Sequence, residues 1–116
     1  MVKNLNVYKK AYELSLEVHV LSLKFPKVEQ YELAAQLRRA TKSIPMNIAE
    51  GYGKQQSKAE FRRFLAMAIG STDEVKVQLE YSKDLGYITD TEYLSLISGY
   101  EEIGKMLYGL AKSQVD

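Results

Sequence analysis

Apolar residues recur along this chain at spacings of three and four and never in sustained one-by-one alternation, so the pattern predicts four amphipathic helices and no strand. The first runs from about Asn4 to Lys24 and stops at Phe25-Pro26, because proline disfavours helix in the residue before it. The second starts near Glu29 and reaches about Gly53, with a kink expected at Pro45 and Gly53 available as a left-handed cap. Ser57-Lys58-Ala59-Glu60 and Thr89-Asp90-Thr91-Glu92 read as capping boxes that open the third and fourth helices, and Gly86 ends the third. Short connections between long helices favour antiparallel neighbours. The expected fold class is therefore all-α, an antiparallel up-down-up-down four-helix bundle forming one domain over residues 1–116.

Each helix has a stripe for the core: Val7, Ala11, Leu14, Val18, Leu21 and Phe25 on the first; Leu33, Leu37, Ala40, Ile44, Ile48 and Gly51 on the second. The third has Phe61, Leu65, Ala68, Thr72, Val75 and Leu79, and the fourth Tyr93, Ile97, Tyr100, Gly104, Leu107 and Ala111, with Leu96, Ile103 and Leu110 beside them. Two helices have more than the core requires. The first carries another apolar stripe, Leu5, Tyr8, Tyr12, Leu16 and Leu23, which implies a second surface to cover it, most simply another subunit. The third carries a mixed face of Arg63, Ala66, Met67, Gly70, Glu74, Val77 and Tyr81. Its mid-helix glycine costs about 1 kcal/mol against alanine, which close approach of a neighbouring backbone would offset.

On the second helix a polar stripe of Gln36, Arg39, Ser43, Asn47 and Glu50 runs directly beside the core stripe. Side chains that border a core lose water and need partners, at about 1–3 kcal/mol for each group left unsatisfied. Arg39, Ser43, Asn47, Glu50, Gly70 and Glu74 are accordingly expected to form an interface or a buried polar network. Within it Glu74 would meet Arg39 or Arg63, and Asn47 would satisfy a backbone group freed by Pro45.

Composition narrows the chemistry. With 46% hydrophobic residues and no cysteine, the chain reads as an ordinary soluble cytoplasmic domain without disulfides, thiol nucleophiles or thiolate metal sites. No apolar run approaches the ~20 residues of a membrane span. The net charge of +1 conceals a division: residues 33–63 hold seven basic and two acidic side chains (+5), and residues 64–116 hold four and nine (−5). Arg38, Lys42, Lys54, Lys58, Arg62 and Arg63 are the candidates for contact with nucleic-acid phosphate, and Tyr52 could stack on a base near them. The competing account is two solvated faces of opposite sign that attract within the fold or between subunits.

Catalysis fails on inventory. The single histidine, His19, lies in Glu17-Val18-His19 rather than in the paired Glu-x-x-His of a di-iron bundle. Ser43 and Ser71 have no local base, and Gly51-Tyr52-Gly53-Lys54 lacks the spacing of a phosphate-binding loop. A non-enzyme without metal or cofactor is expected.

The ordered motifs Phe25-Pro26, Glu29-x-Tyr31-x-Leu33, Gln36-x-Arg38-Arg39-Ala40, Ser43-Ile44-x-x-Asn47-Ile48-Ala49-Glu50-Gly51 and Phe64-Leu65-x-x-Ala68-x-Gly70-Ser71-x-x-Glu74 span nearly the whole chain. In this order they resemble the four-helix bundle proteins encoded by intervening sequences in bacterial 23S ribosomal RNA genes. The fold is also similar to that of the accessory variability protein of diversity-generating retroelements, a strongly basic homopentamer that binds nucleic acid and partners a reverse transcriptase. The resemblance implies a ring-shaped homo-oligomer, a pentamer first, without enzymatic activity, with RNA or DNA and a reverse transcriptase or other protein as partners. The near-neutral charge confines nucleic-acid affinity to the patch from Arg38 to Arg63. The leading expectation is a non-catalytic oligomeric bundle that binds RNA or DNA through that patch; the alternative is a protein-binding scaffold or adaptor.

Overall fold

The computed structural model describes residues 1–115. Among them are four α-helices and no strand: α1 (Asn6–Ser22), α2 (Leu33–Gly53), α3 (Lys58–Asp84) and α4 (Asp90–Lys112). Short 3-10 turns at Val2–Asn4 and Lys27–Glu29 precede α1 and α2. Each helix packs on its two neighbours around the bundle, α2 against α3 most extensively and α4 against α1 least. The molecule measures 47 × 24 × 20 Å. Its length suits the roughly 40 Å of a 27-residue helix at 1.5 Å per residue.

The core follows the expected stripes, with Leu37, Ile44, Ile48, Leu65, Val75, Leu79, Tyr100, Ile103 and Leu107 wholly enclosed. α4 departs from them most. Its inward seam is Leu96, Tyr100, Ile103 and Leu107, while Tyr93, Ile97, Gly104 and Ala111 are only half-buried. Apolar residues cover a broad arc of this helix, so periodicity alone does not choose between adjoining seams.

Local chemistry sets most helix ends. At the start of α4 the Thr89 hydroxyl accepts from Glu92 N–H at 3.0 Å and the Glu92 carboxylate accepts from Thr89 N–H at 2.8 Å, a complete capping box. At the start of α3 only half of the box forms: Ser57 accepts from Glu60 N–H, but the Glu60 carboxylate turns to Arg63. Two residues beyond the end of α3, Gly86 has a φ of 82° that permits a Schellman closure through Gly86 N–H to Lys83 O and Tyr87 N–H to Ser82 O.

α2 departs from expectation at both ends. It begins at Leu33 rather than near Glu29, because the connection is drawn onto its neighbours: Glu29 accepts from the Tyr87 hydroxyl at 2.8 Å, and Gln30 Nε2 donates to the carbonyls of Ser22 and Phe25 at the end of α1. Gly53 is not a left-handed cap; it is the last residue of α2, which closes when Lys54 N–H donates back to Gly51 O. Pro45 is buried within a helix that continues through it.

Candidate functional site

The outer side of α2 is where polar side chains, unpaired charge and concavity coincide. The helix turns its core stripe onto α1 and α3, which leaves Gln36, Arg39, Lys42, Met46 and Glu50 exposed, with Ser43 and Asn47 half-buried at the edge. Along the α2–α3 border, Arg39, Lys42, Ser43, Met46, Asn47, Glu50 and Phe64 line an open depression of about 480 Å³. Gly51 brings the two helices close there: a Cβ on it would lie 2.8 Å from the Cβ of Phe64.

The expected polar network does not form inside the chain. Arg39, Glu50, Gly70 and Glu74 are exposed, and none of them meets another of the set. Glu50 pairs with Lys54 at 3.8 Å one turn on, and Glu74 accepts from Gln78 at 3.2 Å. Asn47 donates to Ser43 O at 2.8 Å, not to the Thr41 carbonyl left free by Pro45, and Ser43 donates to Ala40 O at 2.8 Å. The α2 stripe borders the core but faces outward, since α3 meets α2 one stripe further round.

The expected phosphate patch divides in a way that sequence could not show. Arg38 is occupied internally: its guanidinium donates to Ser22 Oγ at 2.8 Å, Gln30 Oε1 at 3.3 Å and Gln30 O at 3.0 Å, and so anchors the 23–32 connection. Arg62 donates to Gln114 O and Lys58 to Val115 O, tying the start of α3 to the segment after α4. Arg63 forms a two-pronged pair with Glu60 at 2.9 and 3.2 Å and lies 4.4 Å above the Phe64 ring. That hydrogen-bonded guanidinium holds the Glu60 carboxyl below its ordinary range. Lys54 adds a cation–π contact to Phe64 at 4.9 Å to its pairing with Glu50. Of the expected cations only Lys42 has no hydrogen-bond, ion-pair or ring partner among the described residues. Arg39, assigned from sequence to the network, shares that condition. Tyr52, expected to stack on a base, is half-buried and packs edge-on to Phe61 at 6.4 Å, and its phenol is held below the ordinary value by the Met1 amine and Gln55.

A second surface stands apart from this face. Leu16 and Val20 of α1 and Leu23 just after it are 53–60% exposed, and Met67, Val77 and Tyr81 of α3 are exposed as well. No group of three or more metal-ligating side chains converges among the described residues, and none of the helices they form is long and apolar enough to cross a membrane.

The family profile described as 23S rRNA-intervening sequence protein matches residues 3–109. No curated protein matches the chain. Among solved structures, the crystal structure of a protein with unknown function from the S23 ribosomal protein family of Bacteroides thetaiotaomicron is similar, with a TM-score of 0.84 and 28% sequence identity. The alignment covers 97% of this chain and 99% of that one.

Proposed function

The chain belongs to the 23S rRNA-intervening sequence protein family, and from that premise we propose that it is a non-catalytic, homo-oligomeric helical bundle that binds nucleic acid through the outer side of α2. The observation that carries the reading is the pair of unpartnered cations, Arg39 and Lys42, one turn apart at the rim of the α2–α3 depression. Cations already bonded to carboxylates or carbonyls must break those bonds to reach phosphate; these two need not. Ser43 and Asn47 beside them add neutral donors of the kind that contact phosphate oxygens.

Self-assembly is part of the same proposal. Leu16, Val20 and Leu23, exposed toward the end of α1, are covered by none of the described residues, and covering them with a different surface of a second copy generates a ring when the rotation closes. A ring, pentameric by the resemblance, would repeat Arg39 and Lys42 around its axis and multiply a modest local charge. A cytoplasmic location goes with a nucleic-acid partner, and a reverse transcriptase or other protein partner would use what the ring leaves exposed.

The test is fluorescence anisotropy with structured RNA and duplex DNA from low to physiological salt, on protein freed of nucleic acid. Affinity should fall log-linearly with salt, with a slope of about −0.7 to −0.9 per neutralised phosphate. Arg39→Glu with Lys42→Glu should weaken it at every salt concentration. Absence of binding even at low salt would overturn the reading and leave the scaffold alternative.

A further inference from the structure

Lys42 and Met46 face two depressions at once. One is the α2–α3 depression described above. The other, of about 220 Å³, lies across α2 between α1 and α2, lined by Tyr8, Tyr12, Lys42, Pro45 and Met46 among others. The two tyrosines form an offset stack with ring centroids 6.0 Å apart and planes 27° from parallel. Tyr8, half-buried, is the inner ring; Tyr12 is 48% exposed. Pro45 and Met46 complete an apolar surface beside an ammonium group with no partner among the described residues.

We infer that Tyr12 provides a stacking subsite for an unpaired base of single-stranded nucleic acid, with the adjoining phosphates held by Lys42 and Arg39. A strand would then cross the outer side of α2, setting a base in the α1–α2 depression and its backbone toward the α2–α3 depression. The chemistry selects a single strand: an aromatic side chain can take a base face only where that base has left its own stack, whereas phosphate contacts alone do not distinguish strands. Tyr8 holds the Tyr12 ring in place and so reduces the ordering required on binding. This inference rests on the nucleic-acid reading above and adds to it the strand state of the ligand and an aromatic residue outside the basic patch.

The experiment compares anisotropy of labelled oligo-U and of a duplex for the wild-type chain, Tyr12→Ala, Tyr12→Phe and Arg39→Gln/Lys42→Gln, with light scattering on every variant. Expected are about tenfold weaker oligo-U binding for Tyr12→Ala, near wild-type binding for Tyr12→Phe, which retains the ring, and unchanged duplex binding for both. The double variant should weaken both ligands and flatten the salt dependence. If Tyr12→Ala leaves oligo-U affinity unchanged while the double variant still reduces it, the stacking subsite is wrong and the nucleic-acid reading stands. A change of particle size in Tyr12→Ala, with affinity per protomer unaltered, would reassign Tyr12 to a contact between copies and overturn the inference. Failure of the wild type to bind any nucleic acid removes both.

Discussion

Tyr100 is wholly enclosed in the bundle, and its hydroxyl has no hydrogen-bond partner among the described residues. A buried hydroxyl without a partner costs free energy that a phenyl ring avoids, so Tyr100→Phe should be neutral or stabilising by about 1 kcal/mol in chemical denaturation. Burial, with a smaller contribution from the Glu17 carboxylate, raises its ionisation well above the ordinary phenol value. In the unfolded chain the group ionises near pH 10, whereas the fold retains the proton. The contribution of this group to stability is therefore complete below about pH 10 and falls as pH rises beyond it. Tyr100→Phe should lessen that alkaline loss, which a pH series of thermal unfolding would record. Gly51 makes the opposite case. An added methyl group would sit 2.8 Å from Phe64 Cβ and 3.1 Å from a Phe61 ring carbon, so Gly51→Ala should force α2 and α3 apart and destabilise by about 1–3 kcal/mol.

Helices and the connections between them differ in what they disclose beforehand. The existence of α1 to α4, the caps Thr89 and Ser57 and the stop at Gly86 were legible, because each depends on residues within a turn of one another. The 23–32 connection was not, since its order comes from Arg38 and Gln30 reaching the end of α1, contacts that exist only once the helices are packed. The same limit applied to the candidate site. The polar stripe of α2 was visible as a stripe, but whether Arg39 faces a neighbour or water depends on which flank α3 covers. Arg38→Met should therefore behave as a stability variant, losing about 2 kcal/mol as charged hydrogen bonds to Ser22 and Gln30 disappear. Its nucleic-acid affinity, measured on the folded fraction, should equal that of wild type.

At the scale of the whole molecule, stability and assembly separate at Gly70. It is exposed, and an added Cβ would meet none of the described residues within 4 Å in the single chain. Gly70→Leu should leave protomer unfolding intact or slightly improved, because leucine is the better helix former. If the α3 face meets another copy closely, the same change should abolish assembly in light scattering. An assembled Gly70→Leu protein would place the interface elsewhere, on the α1 stripe of Leu16, Val20 and Leu23.

The uneven packing around the bundle also has a bearing on how the chain reaches this state. α2 and α3 share the largest contact and are joined by residues 54–57 alone, whereas α1 and α4 come from opposite ends of the sequence and meet least, with the Lys10–Glu102 pair across them at 3.2 Å. Bringing distant ends together costs chain entropy that a hairpin of adjacent helices largely avoids. The α2–α3 hairpin is thus the expected nucleus, with α1 docking late and opening first. Native-state hydrogen exchange should find the slowest amides around Ile44, Ile48, Leu65 and Ala68, and those of α1 exchanging through a lower-energy opening that leaves the hairpin closed.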